Sequence, residues 1–169
     1  MPNLYHALPR FAAFPRVLSS IIAGLDDADL RYTSNPNDWS ILDILCHLLD
    51  EETRDFRPRL ERTFTAKPWD PIDPQSWPAL HHYADQAAPE TLARFTVQRE
   101  HSVTWLLSLT NPDWDATHSH PSLGPIRAGD LMGAWLDHDT LHLRQIAKRL
   151  HELAQRDAAP YITTYAGAW

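Results

Sequence analysis

The sequence is short of cysteine and of long apolar runs, and each shortage excludes a class of protein. Its 169 residues include a single cysteine, Cys46, which can form neither an internal disulfide nor a cysteine-based zinc site. No apolar run approaches the roughly 18 residues that a membrane-spanning helix needs. The first residues, from Met1 to His6, lack the basic and then apolar order of a secretory signal. We therefore expect a cytoplasmic protein that has no membrane partner.

Positive charge is also scarce. Lysine and arginine together number 15, aspartate and glutamate number 22, and the formal net charge is −7. Because no cluster of basic residues is available to bind a series of phosphates, we expect no nucleic-acid partner. The length fits one domain over residues 1–169, which is long enough to bury about two-thirds of its unfolded surface.

Fourteen prolines divide the chain into segments of different character. The spacing of apolar residues predicts four helices, over 14–24, 40–64, 89–110 and 130–154. Ser40 and Asp43 have the spacing of a capping box at the start of the second helix, and Pro58 is expected to kink or break it. Residues 66–89 contain five prolines and are expected to form an ordered connection, whereas 117–129 are expected to form a loop. The predicted fold is all-α, a four-helix bundle with a long proline-rich connection between helices 2 and 3.

Histidine is abundant, with ten copies, and three of these lie where they could share a metal ion. His138 and His142 are one turn apart on the fourth predicted helix, within its apolar stripe. His47 lies in the second helix and could supply a third ligand. It could instead be a core histidine that hydrogen-bonds Asp43 or a carbonyl group. Three neutral imidazoles would leave an open coordination position, which is typical of catalytic metal sites.

Three separated motifs resemble those of the DinB/YfiT-like superfamily. They are Trp39-Ser40-Ile41-Leu42-Asp43-Ile44-Leu45-Cys46-His47-Leu48, His120-Pro121-x-x-Gly124 and Trp135-x-x-His138-Asp139-x-x-x-His142-Leu143-x-Gln145-Ile146. The resemblance extends over nearly the whole chain and implies a four-helix bundle, often dimeric. It also implies that His47, His138 and His142 hold a divalent metal ion. Members of this family include S-transferases that use a low-molecular-weight thiol, such as bacillithiol, mycothiol or glutathione, and metal-dependent hydrolases.

Two further residues are candidates for catalysis. Glu51, one turn after His47, could act as a general base near a metal-bound water, or it could be a solvated acid of the helix face. His120 could contact a substrate or shuttle a proton, or it could be a solvated loop histidine. Asp43 is expected to cap the second helix and could also orient His47. Cys46 points about 100° away from His47 on a helix and is expected to be a core residue.

Other polar and aromatic residues are expected to be structural. Four histidines are expected at the surface, namely His81, His82, His101 and His151. Arg99 lies on the inner stripe of the third helix. Arg99 and Arg144 could bind an anionic group, but nothing in the sequence distinguishes them from residues of ordinary surface ion pairs. The aromatic residues of the C-terminal tail, which ends at Trp169, are expected to pack on the bundle or on a second subunit.

The sequence therefore predicts a protein that binds a divalent metal ion, and Zn²⁺, Ni²⁺ and Fe²⁺ all accept histidine ligands. In an enzyme, the metal would polarise a water or a thiol, for hydrolysis or for S-transfer with a low-molecular-weight thiol as cosubstrate. One alternative is a non-catalytic bundle that binds a metal or a small ligand. Another is a structural bundle whose histidines are satisfied by hydrogen bonds. The family and the aromatic content also lead us to expect a homodimer.

Overall fold

The computed structural model describes residues 3–169. The helices in this range are α1 (Leu4–Ile22), α2 (Asp27–Arg31), α3 (Ile41–Asp50), α4 (Phe56–Phe64), α5 (Trp77–Leu80), α6 (Ala88–Ser108) and α7 (Ala128–Ala158). A π-helical turn at Glu51–Asp55 joins α3 to α4, and short 3₁₀ turns lie at Tyr83–Asp85 and Thr164–Ala166. The strands are β1 (Thr117–His120) and β2 (Gly124–Arg127). The four long helical segments, α1, α3 with α4, α6 and α7, form the predicted four-helix bundle.

The first long helix begins ten residues earlier than predicted. It starts at Leu4 and contains two prolines, Pro9 and Pro15. The prediction had placed Pro15 in the first turn of the helix. Leu8, Phe11 and Phe14 are buried in the bundle, so tertiary packing offsets the loss of helical hydrogen bonds at the prolines. No helix within residues 3–169 has the length and apolar character that crossing a membrane requires.

The second long helix is widened rather than broken near Pro58. Ser40 and Asp43 form the predicted capping box, and α3 continues directly into the π-helical turn and then into α4. Pro58 lies in the first turn of α4, where it has no N–H for the carbonyl group of Arg54 and its ring would collide with that carbonyl in a regular helix. A wider turn relieves this conflict. π-Helical turns of this kind are frequent at functional sites.

The segment over 117–129 is a β-hairpin that leads into α7, and the prediction of a loop there was wrong. β1 and β2 pair antiparallel, from Thr117 opposite Arg127 to His120 opposite Gly124. Gly124 has a φ of 74°, which favours glycine at the start of β2. Each strand has only four residues, too few for apolar and polar positions to alternate visibly in the sequence.

The core has two parts. One lies among α1, α3 and α6 and includes Leu18, Leu45 and Phe95. The other lies where α4 packs on α7 and includes Leu60 and Trp135. In the C-terminal tail, Trp169 stacks on His151 of α7 at 4.5 Å between ring centroids, and Tyr161, Ile162 and Tyr165 are exposed. Contact of this tail with a second subunit stays a prediction.

Candidate metal centre

The bundle brings together the three histidines that the sequence singled out. We call His47, His138 and His142 the histidine cluster. His47 projects from α3, and the other two project from successive turns of α7. One ring nitrogen from each lies within 4.8 Å of the others, and the Nε2 atoms of His138 and His142 are 3.0 Å apart. Three convergent nitrogen atoms at this spacing could hold one metal ion.

The three imidazoles are neutral at pH 7. Burial, with a smaller contribution from the neighbouring histidines, lowers the pKa of His47 to about 3 and that of His138 to about 2. Burial also lowers the pKa of His142, against the hydrogen bond that Nδ1 of this ring donates to Oε1 of Gln145 at 2.7 Å. With Nδ1 carrying the proton, the lone pair of His142 Nε2 faces His138. Neutral imidazole is the form that binds metals.

One ring nitrogen of the histidine cluster has no partner. Nδ1 of His47 is buried without a hydrogen bond, and Nε2 lies 3.6 Å from Oε1 of Glu51. The rings of Trp39 and Trp77 lie 4.6 Å and 6.0 Å from the His47 ring, so apolar surface surrounds it. An unpartnered buried polar atom costs about 1–3 kcal/mol, which a bound ion could offset. The donor set and its environment therefore fit a divalent metal that takes imidazole ligands.

A pair of buried carboxyl groups adjoins the histidine cluster. Glu51 is 5% exposed, because the π-helical turn directs it inward, so it is not a solvated acid. Burial, and then the carboxylate of Asp55, raise the pKa of Glu51 to about 9. Burial also raises the pKa of Asp55, and the positive charge of Arg59 opposes this shift. Nε of Arg59 lies 2.9 Å from Oδ1 of Asp55, in an ion pair that lacks hydrogen-bond geometry. Two neighbouring buried carboxyl groups are not both ionised without cost, so Glu51 is held in its protonated form.

His120 lies apart from the histidine cluster, in the hairpin. Its Nδ1 accepts hydrogen bonds from the backbone N–H groups of Ser122 and Leu123, each at 3.2 Å. Its ring lies edge-on to Trp69 at 6.2 Å and is close enough to Asp55 to influence that carboxyl group electrostatically. The hairpin thus holds His120 on the Asp55 side of the site, with Nε2 as the protonated nitrogen.

A buried ion-pair cluster that the sequence did not indicate lies next to these residues. Arg99 is 2% exposed and pairs with Glu52 of the π-helical turn and Asp139 of α7, and Trp135 donates to Glu52. We call Arg99, Glu52, Asp139 and Trp135 the arginine cluster. The sequence carried one sign of this cluster, because Arg99 is a charged residue on the apolar stripe of its helix. The stripe is buried when the helix packs, and a buried charge needs a partner of opposite charge.

Asp50 also has partners that the sequence did not indicate. It lies three residues after His47, and its carboxylate accepts hydrogen bonds from Tyr83 Oη at 2.8 Å and from Arg54 Nε at 2.9 Å. Nδ1 of His81 lies 2.6 Å from the same carboxylate. His81 and His151 are both half-buried, so the expectation that they are surface residues was wrong. These contacts anchor the proline-rich connection on the helix that carries His47.

Asp43 and Cys46 have the structural roles expected of them. The Asp43 carboxylate accepts hydrogen bonds from the backbone N–H of Ser40 at 2.9 Å and from its hydroxyl group at 2.7 Å, which completes the capping box. Cys46 is buried in the core, and burial raises the pKa of its thiol to about 11. The thiol is therefore protonated and is not a metal ligand.

The chain is similar to a known protein family in sequence and to a solved structure in fold. The sequence model described as DinB superfamily matches residues 10–146. The solved structure of YfiT from Bacillus subtilis, described as a probable metal-dependent hydrolase with an unusual four-helix bundle topology, matches with a TM-score of 0.80. The match covers 91% of this chain and 90% of that chain at 16% sequence identity, so the likeness shows the fold. No curated protein matches the chain.

Proposed function

We propose, from the premise that this chain belongs to the DinB superfamily, that it is an enzyme that binds one divalent metal ion through His47, His138 and His142. We further propose that it acts as a hydrolase or as an S-transferase with a low-molecular-weight thiol as cosubstrate. The observation that carries the proposal is the set of three neutral ring nitrogens within 4.8 Å of one another, next to a His47 nitrogen that lacks a partner.

A divalent ion held by three neutral imidazoles keeps its full charge and lowers the pKa of a water or thiol in its open position. Around it, Gln145 keeps the proton of His142 on Nδ1 and so keeps Nε2 free to ligate. Zn²⁺, Ni²⁺ and Fe²⁺ all suit this donor set.

The carboxyl pair supplies the acid–base function in this proposal. Glu51 lies beside His47, with Oε1 3.6 Å from His47 Nε2, and its raised pKa keeps it protonated near pH 7. It can therefore donate a proton to a leaving group at the centre rather than accept one. Asp55, which is paired with Arg59, is the member of the pair that can accept the proton of a nucleophile.

His120 contributes a hydrogen-bond donor in this proposal. Its Nδ1 is occupied by two backbone N–H groups, so Nε2 carries the proton and can donate to an oxygen atom of the substrate. The ring would orient a substrate between the hairpin and the carboxyl pair. This role is the substrate contact that the sequence suggested for His120.

A non-catalytic metal-binding bundle is the alternative. It requires the histidine cluster but gives no role to Glu51 and Asp55, two carboxyl groups that are buried at a cost. Their position beside the cluster favours the enzyme. Between hydrolysis and S-transfer, a panel of ester, amide and thiol substrates would decide.

The first test is the metal content of untagged protein, measured by plasma mass spectrometry. We expect close to one metal ion per chain in the parent and none in His47→Ala or His138→Ala. His101→Ala is the matched control, because His101 is an exposed histidine of α6 and its loss should leave the metal content unchanged. A parent that stays free of metal after reconstitution with Zn²⁺, Ni²⁺ and Fe²⁺ would overturn the proposed function.

A further inference from the structure

The guanidinium group of Arg99 is saturated by its partners. Nε donates to Glu52 Oε1 at 3.0 Å, and Nη1 donates to Asp139 Oδ2 at 2.6 Å and to the carbonyl oxygen of Phe11 at 3.0 Å. Nη2 donates to Asp139 Oδ1 at 2.9 Å and lies 3.0 Å from Glu52 Oε2. Glu52 Oε2 also accepts from Trp135 Nε1 at 3.1 Å. Each carboxylate is bound in the two-point manner that fixes both distance and orientation.

The arginine cluster joins the elements that carry the proposed metal centre. Arg99 belongs to α6, and it contacts the π-helical turn through Glu52, α7 through Asp139 and α1 through Phe11. Glu52 directly follows Glu51, and Asp139 directly follows His138. The position of Arg99 therefore determines how far the turn with the carboxyl pair lies from the helix that carries two of the three histidines.

The need for such a restraint comes from the π-helical turn. π-Helical turns are rare, occur mostly as single turns inside α-helices and are frequent at functional sites, so the placement of this turn bears on the site beside it. Glu52 is 1% exposed and has a rigid set of partners. Through Glu52, Arg99 of α6 and Trp135 of α7 hold the π-helical turn in place.

We propose that Arg99 is a positioning residue for the metal centre and that, through Glu52 and Asp139, it sets the separation of the π-helical turn from α7 and thereby the affinity for the metal. This inference rests on the proposed function, because it assigns Arg99 a role toward the ion that the histidine cluster would hold. It predicts that loss of the arginine cluster weakens metal binding without removal of any ligand.

The test uses the whole chain and Zn²⁺ alone as the probe. Glu52→Gln keeps the shape of the side chain but removes one charge and one acceptor. We expect it to raise the Kd for Zn²⁺, measured by competition with a chromophoric chelator, by about tenfold or more, as expected for residues that orient metal ligands. We also expect the visible spectrum of the Co²⁺-loaded protein to change, since that spectrum reports coordination geometry. Asp139→Asn tests the α7 side of the cluster in the same way.

Glu152→Gln is the matched control. Glu152 is also a buried acid of an arginine pair, 3.0 Å from Nη2 of Arg149, but it lies ten residues beyond His142 on α7. The Glu152→Gln variant should have the same Kd for Zn²⁺ and the same Co²⁺ spectrum as the parent. The positioning role is overturned if Glu52→Gln and Asp139→Asn bind Zn²⁺ as the parent does, or if all three variants weaken binding equally. A parent that binds no metal would overturn the proposed function and this inference together.

Discussion

Two buried polar clusters lie side by side in this bundle, and they differ in how their polar atoms are satisfied. In the arginine cluster, every nitrogen of the Arg99 guanidinium has an acceptor, and Glu52 and Asp139 are each bound at both oxygens. In the histidine cluster, burial keeps the rings neutral and leaves Nδ1 of His47 without a partner. Saturated partners make a buried charge compatible with stability, whereas an unsatisfied nitrogen is a cost that a bound ion could offset.

The two clusters are built from neighbouring residues. Glu51 faces the histidine cluster and Glu52 the arginine cluster, and the same holds for His138 and Asp139. Consecutive side chains of a helix point about 100° apart, so one stretch of helix can serve two different surroundings. The comparison predicts that the arginine cluster stabilises the metal-free protein and that the histidine cluster does not.

The largest expected effect is that of Arg99→Met on the stability of the metal-free protein. The change leaves Glu52 and Asp139 buried without their counter-charge, so we expect the free energy of unfolding to fall by about 3–5 kcal/mol. Urea unfolding with a chelator present measures it. Arg144→Met, at an exposed arginine of α7, is the control and should change stability by less than about 0.5 kcal/mol. A loss below about 1 kcal/mol for Arg99→Met would make the arginine cluster no stronger than a surface ion pair.

The opposite sign is expected for His47→Leu. Leucine fills the same apolar surroundings without an unpartnered nitrogen, so the metal-free protein should become more stable by about 1–3 kcal/mol while metal binding is lost. Urea unfolding and metal analysis of one preparation give both numbers. His101→Leu, at an exposed histidine, should change neither. Strong destabilisation by His47→Leu would mean that His47 serves the fold, and the contrast between the clusters would disappear.

The pH dependence of stability tests the carboxyl pair. The pKa of Glu51 rises from an ordinary 4.5 to about 9 on folding, so its carboxyl group contributes stability that is present below 4.5 and is lost as the pH rises through 9. Glu51→Gln removes this loss. Between about pH 5 and about pH 8 the metal-free variant should therefore gain stability over the parent, by at most about 1.4 kcal/mol per pH unit. Glu61→Gln, at an exposed acid of α4, should follow the parent, and parallel curves for Glu51→Gln would refute the raised pKa.

The smallest effect is expected for Asp43→Ala. This change removes the acceptor of the Ser40 N–H and hydroxyl groups, and the loss of a helix cap costs about 1 kcal/mol. The affinity for metal should stay the same, because Asp43 caps α3 and makes no hydrogen bond to His47. Thermal unfolding and chelator competition measure the two quantities. A tenfold loss of affinity, about the size expected for a residue that orients a ligand, would show that Asp43 holds His47 after all.

The predictable parts of the site were those encoded by local spacing. Residues four apart on a helix share a face, so His138 and His142 could be placed together from the sequence. The capping box at Ser40 and Asp43 was equally local and is confirmed. Arg99 could not be assigned in this way, because its partners lie 47 and 40 residues away along the chain. The hairpin at 117–127 could not be predicted, because its strands are too short to show the alternation of apolar and polar residues that is typical of a strand.

The sequence by itself determined the helical bundle and the helix face that carries two of the histidines. It also excluded an internal disulfide and a cysteine-based zinc site. These follow from local periodicity, composition and the positions of proline, which act over a few residues. The tertiary structure alone decided which acids are buried, which of them Arg99 neutralises and that the histidines are uncharged. Burial and long-range ion pairs arise only when helices from distant parts of the chain pack together, and they set the pKa values and the unpartnered nitrogen on which the proposed metal chemistry depends.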